Sequence, residues 1–358
     1  MSHNPLDRSL RALDLFAGAG GTTLALKQAG FDVPVAVEID PAKANTLHRN
    51  QPPTRVLGAN GTCGDVTKLG AGDLSLSVAG EADRCDVVVG CPPCQGYSLQ
   101  GSRNPRDPRN RLFEDLLRLA IALRPSAVVM ENVPGMGSLS GGRFLSSFLS
   151  GLESAGYSTT IWTLRASDFG VPQRRERLFV IGMRKRELPS PPTKVSPPTV
   201  WQAIADLPTA PYEVVAGGQT HHDYLGPALS EYASALRGRK RRVSGVALTR
   251  HDPEVSARLS RLEAGQVDPQ TRHRRLDPNG LATTITAGSR MRTACRPVHP
   301  YEGRVLTVRE AARLASFPDW YEFPDNIAEA WSQIGNAVPP LMAQAVFGSI
   351  RDALVSGH

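Results

Sequence analysis

The sequence predicts an α/β protein built on a doubly wound, mainly parallel sheet, and three observations carry that prediction. Short apolar runs alternate with amphipathic stretches through the first half of the chain, as they do when strands buried on both faces are wrapped by helices. A glycine-rich segment, DLFAGAGG at residues 14–21, joins the first apolar run to the first helical pattern, where such sheets seat ligands against a helix N-terminus. An acid, Glu38, closes the second apolar run, placed to accept hydrogen bonds from ribose hydroxyls.

Strands are expected at residues 12–16, 33–39, 86–90, 127–131, 159–164 and 178–182, with helices at 22–29, 41–50, 111–123 and 144–155. In the third helix Leu112, Leu116, Leu119 and Leu123 recur at helical spacing and form one buried stripe. After Met183 the character changes. Residues 187–200 (ELPSPPTKVSPPTV) read as a linker or edge crossing, and residues 201–300 show little periodicity and are rich in Arg, Pro and Gly. Helical spacing returns at 307–316, and a last helix is expected over 340–354. The predicted layout is a doubly wound domain over residues 1–185, a smaller irregular domain over 186–300, and a C-terminal segment over 301–358 whose last part returns to the first domain.

The 358 residues suffice for two domains or one with an insertion. The first ten residues are polar, and no apolar run reaches the roughly 20 residues a membrane span needs. A cytoplasmic protein without a membrane partner is therefore expected. Five cysteines form no framework and should be free thiols in a reducing compartment. Cys91-Pro-Pro-Cys94 is formally a C-x-x-C, yet no second ligand pair completes a zinc site and no redox domain surrounds it. His221, His222 and Asp223 read as polar loop residues, so no metal is expected. The net charge of +7 is unevenly placed: residues 235–300 carry +9, leaving −2 elsewhere. Such a basic segment fits a polyanion partner or, more simply, a solvated face.

Several short motifs carry chemistry. In DLFAGAGG, Thr23 stands where a dinucleotide fingerprint has its third glycine. The loop and Glu38 together indicate a nucleoside-bearing ligand without choosing which. GCPPCQGYS at residues 90–98 follows a strand at the ligand-binding edge, and its stiff turn presents Cys94 as a nucleophile; a buried inert cysteine is the alternative. ENVP at 131–134 ends the next strand, so Glu131 should share a cleft with Cys94. Burial after an apolar run disfavours its charged form, which suits a proton donor. In QRRER at 173–177, Arg175 and Arg177 should face one side while Arg174 and Glu176 face the other. RGRKRR at 237–242 and RHRR at 272–275 are candidate phosphate contacts.

Together DLFAGAGG, PPCQGYS, ENVPG, QRRERLF, RVLTVREAARLASFP (304–318) and QIGNAVPP (333–340) resemble the ordered motif set of DNA cytosine-5 methyltransferases of the prokaryotic type. The resemblance covers the chain except for about residues 184–285. Six motifs in order are highly specific. It implies a Rossmann-like class I methyltransferase fold with a target-recognition domain, and transfer of a methyl group from S-adenosylmethionine, leaving S-adenosylhomocysteine, to cytosine carbon 5.

By this resemblance Cys94 is the thiolate that adds to carbon 6, Glu131 engages ring nitrogen 3 and the exocyclic amine, and Arg177 holds the carbonyl with Arg175 lining the same cleft. Phe16, Gly18, Gly20, Glu38, Ile39, Asp65, Val66, Pro93, Leu112, Asn336 and Val338 would form the methyl-donor pocket. The loop at 99–111 would close over DNA. Double-stranded DNA would be contacted by Gln95, Ser98, Arg103, Arg106, Arg109 and Gln173, and in the insert by Arg237, Arg239, Lys240, Arg241, Arg242, Arg272, Arg274 and Arg275. The target base must leave the duplex to be reached. A monomer is implied, acting alone or beside a restriction endonuclease of the same site. The alternatives are a tRNA cytosine-5 methyltransferase of the same fold and a non-catalytic DNA-binding relative.

Overall fold

The computed structural model describes residues 9–74, 84–93, 108–211, 220–239, 241–287 and 296–356; Cys94, Gln95, Ser98, Arg103, Arg106 and Lys240 lie outside the described residues. The described residues divide into two compact units. The first comprises Met1–Leu164, Glu176–Thr193 and Ala343–His358; the second comprises Arg165–Arg175 and Lys194–Met342.

The first unit holds a seven-stranded sheet of β1 (Leu10–Leu15), β2 (Phe31–Val37), β3 (Arg55–Leu57), β4 (Val87–Gly90), β5 (Ala127–Asn132), β6 (Tyr157–Arg165) and β7 (Glu176–Arg184). Their order across the sheet is β3-β2-β1-β4-β5-β7-β6. The pairs β2–β3, β1–β2, β1–β4 and β4–β5 are parallel, while β7 runs antiparallel to β5 with Glu131 opposite Phe179 and Asn132 opposite Leu178. The mainly parallel α/β class is thus present. Strands β4 and β5 are buried along their whole length, which is why they read as unbroken apolar runs rather than alternations.

Helices α1 (Gly21–Gln28), α2 (Pro41–Asn50), α3 (Leu112–Leu123) and α4 (Arg143–Ser154) wrap the sheet. Asp40 caps α2 by accepting from Ala42 N and Lys43 N, with Pro41 in the first turn. On α3 the fully buried positions are Phe113, Leu116, Leu119 and Ala120. The stripe is rotated slightly from the predicted one, so Leu112 and Leu123 pack at its margin.

The second unit contains α5 (Val200–Ile204), α6 (Glu231–Arg237), α7 (Pro253–Ser260), α8 (Val308–Leu314) and α9 (Ile327–Asn336), joined by long irregular segments. Its strands are two-residue pairs, such as Gln173–Arg174 beside Ala282–Thr283. Its core combines apolar side chains, among them Phe317, Tyr321, Phe323 and Trp331, with buried ion pairs. Arg313 bonds Asp206 at 2.8 Å and Asp319 at 2.7 Å, and Arg309 donates to the carbonyls of Ser244, Pro318 and Tyr321. Satisfied networks of this kind fix irregular backbone whose carbonyls have no ladder partner.

Residues 165–175 and 301–342, read from sequence as parts of the first domain and of the C-terminal segment, belong to this second unit. The cause for the former is visible in Gln173, which bonds Ile285 and Leu314, and in Pro172, whose carbonyl accepts from Ala282 N. Helix α10 (Pro340–Ser356) starts in the second unit and belongs to the first from Ala343 onward. There Arg351 donates to Ala29 O at 2.8 Å and Gln344 to Gln28 O at 3.4 Å.

Candidate active site

One half of the site is built where β1 and β2 end. After Leu15 the chain turns through Phe16 at φ 57° and Gly18 at φ 58°, and Gly20 at φ 92° opens α1. A positive φ at a phenylalanine is uncommon and marks a backbone held by its surroundings. Gly18 N donates to Glu38 Oε2 at 2.8 Å, and Asp40 N donates to Oε1 at 2.9 Å. Each carboxylate oxygen keeps a lone pair for a further donor. Burial pushes the Glu38 carboxyl above its ordinary range. Behind it, a Cβ at Gly58 or Gly64 would lie 1.7 or 2.1 Å from the Glu38 carbonyl oxygen. These glycines let two loops press against the Glu38 backbone, and Gly64 brings Asp65 alongside.

Ile39, next to Glu38, is 64% exposed, an unusual state for isoleucine. Asp65 caps a short 3-10 turn, and hydrogen bonds from Thr67 hold its carboxyl below the usual carboxylate range. Val66 is buried in the core and its carbonyl accepts from Arg118 at 2.8 Å. The first unit therefore gathers Phe16, Gly18, Gly20, Glu38, Ile39 and Asp65 around one strand edge. Asn336, exposed at the end of α9, and Val338, buried, belong to the second unit.

The other half lies where β4, β5 and β7 meet. Arg177 Nε sits 2.7 Å from Glu131 Oε1, and both side chains are about nine-tenths buried. The pairing follows from the β5–β7 register, because Arg177 stands two residues from Phe179, the partner of Glu131. The sequence puts Glu131 and Arg177 in one site without pairing them, and here they form an ion pair. Asn132 Nδ2 donates to Pro92 O at 3.3 Å while its Oδ1 accepts from Val133 N. The strand bearing Glu131 is thereby tied to the segment that enters Cys94. Sequence reasoning singled out neither Asn132 nor Asp40 nor Gly58, although Asn132 and Asp40 each adjoin or lie near a chosen acid.

Several predicted site residues have other partners. Arg175, expected to line the cleft with Arg177, is buried in the second unit and sends its two Nη atoms to Ile285 O and Gly335 O, both at 2.9 Å. Gln173, expected on DNA, is 1% exposed with both ends of its amide engaged. Arg275 is 4% exposed and donates to His299 O, Pro300 O and Leu259 O. Arg237 stacks 3.8 Å above the Tyr224 ring and donates to Gly226 O. These four hold backbone rather than face a polyanion. Arg109, Arg239, Arg241, Arg242, Arg272 and Arg274 are exposed. Arg274 also reaches Gly265 O, and Arg242 reaches His221 O. No described helix is long and apolar enough to cross a membrane.

Comparison with known proteins identifies the family of the chain. The family model for C-5 cytosine-specific DNA methylases matches residues 10–352. The chain is 38% identical over 366 residues to the Type II methyltransferase M.XorII of Xanthomonas oryzae pv. oryzae, covering 96% of this chain and 84% of that one. It is 32% identical over 374 residues to M.DdeI of Desulfomicrobium norvegicum, covering 94% and 87%. A crystal structure of a prophage-encoded Escherichia coli protein assigned as a DNA modification methyltransferase superposes with a TM-score of 0.83 at 31% identity, covering 97% and 99%. The S. pombe Dnmt2 structure shares the fold, with a TM-score of 0.64 at 17% identity over 97% and 99% of the two chains. The chain belongs to the C-5 cytosine-specific DNA methylase family and is a DNA cytosine-5 methyltransferase.

Proposed function

We propose that this enzyme methylates carbon 5 of a cytosine flipped out of a specific double-stranded DNA site, with S-adenosylmethionine as donor and a covalent Cys94 adduct as intermediate. The observation that supports this reading best is the Arg177–Glu131 pair, 2.7 Å apart, with the Glu131 strand hydrogen-bonded through Asn132 to Pro92 in the segment leading into Cys94.

Cytosine carbon 5 is a poor nucleophile. Addition of the Cys94 thiolate to carbon 6 makes carbon 5 enamine-like. Glu131 engages ring nitrogen 3 and the exocyclic amine and favours the protonated ring, so the negative charge developing on addition is neutralised. Arg177 binds the carbonyl oxygen while restraining Glu131. Loss of the carbon-5 proton and expulsion of Cys94 then restore aromaticity. When bound, S-adenosylmethionine supplies an electrophilic methyl group on a sulfonium. The first unit suits a nucleoside: Glu38, fixed by two backbone amides, accepts ribose hydroxyls, Phe16 and exposed Ile39 offer apolar faces to a purine, and Asp65 takes the adenine amine. Pro93 and Leu112 border it.

The relatives named Type II methyltransferases favour a role in restriction-modification, beside an endonuclease reading the same site or alone. We assign the DNA footprint to residues 99–111 and to the exposed arginines of the insert, and we take the enzyme to act as a monomer in the cytoplasm. The test is expression in a methylation-deficient host followed by bisulfite sequencing of its DNA. Wild type should leave 5-methylcytosine in one short sequence context, and Cys94→Ala should leave none. Unmethylated DNA from wild type, or undiminished methylation by the variant, would refute the proposal.

A further inference from the structure

We infer that Arg118, on helix α3, is a positioning residue for the methyl donor: its guanidinium clamps the short turn that carries Asp65. The inference rests on the function proposed above, in which Asp65 takes the adenine amine, and it names the residue that holds that acid in place.

The turn Val66–Lys68 is a weak piece of structure by itself. It is a single 3-10 turn, closed by Lys68 N to Asp65 O at 3.0 Å and Leu69 N to Val66 O at 3.3 Å. Such turns have poorer hydrogen-bond geometry than an α-helix. The Asp65 side chain is nonetheless fixed on it: Thr67 N and Thr67 Oγ1 donate to Oδ1 at 3.1 and 2.7 Å, and Lys68 Nζ lies 3.2 Å from Oδ2. The seat of the turn therefore sets where the carboxylate points.

Two contacts fix that seat. On one side Gly64 presses its backbone against the Glu38 carbonyl. On the other, Arg118 Nη2 donates to Val66 O at 2.8 Å and Nη1 to Leu69 O at 2.9 Å, so one planar fork spans the turn. Asp115, three residues earlier on α3, holds the fork, with Oδ1 accepting from Arg118 Nε at 3.3 Å and Nη2 at 3.1 Å. The helix is itself anchored by buried Phe113, Leu116, Leu119 and Ala120. Asp65 thus keeps a set relation to Glu38, and one nucleoside can meet a ribose acceptor and an amine acceptor together.

Folding has less need of this clamp. Val66 and Leu69 are already buried in the apolar core, and Val66 O keeps its bond from Leu69 N. The Arg118 and Asp115 side chains are 45% and 23% exposed, where an ion pair contributes little. Loss of Arg118 should register in donor binding more than in melting.

Wild type, Arg118→Met and Arg118→Lys are compared by calorimetry with S-adenosylhomocysteine and with S-inosylhomocysteine, in which a carbonyl replaces the adenine amine; thermal melting is the folding control. Wild type should prefer S-adenosylhomocysteine at least roughly tenfold, the scale of one charged hydrogen bond. Arg118→Met should bind it roughly tenfold more weakly and bind the inosyl analogue within about twofold of wild type, so that discrimination collapses. In methyl transfer to DNA, KM for S-adenosylmethionine should rise in step while kcat stays within about twofold. Arg118→Lys, which can reach one carbonyl rather than two, should fall between, and it decides the matter if Arg118→Met does not fold. Wild-type discrimination in the deciding variant would overturn the inference. So would equal weakening of both ligands, because general support of the fold would then explain the loss. A wild type that binds both ligands alike would refute the role given to Asp65, and the inference with it, whereas a wild type that binds neither would refute the proposed donor.

Discussion

Asp14 sits wholly buried on β1 beneath the glycine loop, with Oδ2 accepting from Thr23 Oγ1 at 2.6 Å. Burial raises its pKa from 3.8 to about 7, against the Thr23 hydrogen bond and with the help of the Glu38 charge. The folded protein therefore holds a proton that the unfolded chain releases between pH 3.8 and about 7. Its contribution to stability is fully present below the unfolded value and is lost as pH rises through the folded one. The whole effect corresponds to about 4 kcal/mol, of which roughly 3 kcal/mol falls between pH 5 and 8. Asp14→Asn keeps the shape and an acceptor for Thr23 but is neutral at every pH. Urea unfolding of both proteins across that range isolates the term, since every other titrating group is common to the two. Wild type should lose roughly 3 kcal/mol more than the variant from pH 5 to 8. Parallel pH profiles would refute the argument that burial keeps this acid protonated.

Three further outcomes follow from the packing around the site. Gly64→Ala would put a Cβ 2.1 Å from the Glu38 carbonyl oxygen; displacing that backbone should cost about 1–3 kcal/mol and weaken S-adenosylmethionine binding by calorimetry, and wild-type affinity would count against the Glu38 cradle. Arg239 and Arg241 are exposed, so changing both to Gln should weaken DNA binding and reduce its salt slope by about two. An unchanged slope would make them a solvated face. Arg275→Gln should behave oppositely, with loss of about 2–4 kcal/mol of stability from its unsatisfied carbonyl partners and an unaltered salt slope.

The contrast between Arg275 and Arg239 shows what was legible in the sequence and why. The strands could be read because β4 and β5 are buried on both faces and so are written as apolar runs. β3, at three residues, is too short for any period to emerge, and α9 escaped notice although Asn326 caps it and Ala330, Trp331 and Ile334 face inward. Glu38 and Glu131 could be chosen because an acid closing an apolar strand falls at the ligand-binding edge. An arginine carries no such positional clue, since its charge predicts a polyanion and an irregular backbone equally well. The second unit has two-residue strands and short helices, so many buried carbonyls lack a ladder donor, and Arg175, Arg237, Arg275, Arg309 and Arg313 supply them. The +9 of residues 235–300 therefore overstates the charge offered to DNA. The arginines that brace the second unit from within are thus a separate set from its exposed ones. Loss of a bracing arginine should cost stability, whereas loss of an exposed one should leave it nearly unchanged. Urea unfolding of Arg313→Gln and Arg272→Gln should separate the two sets, and equal losses would count against the distinction.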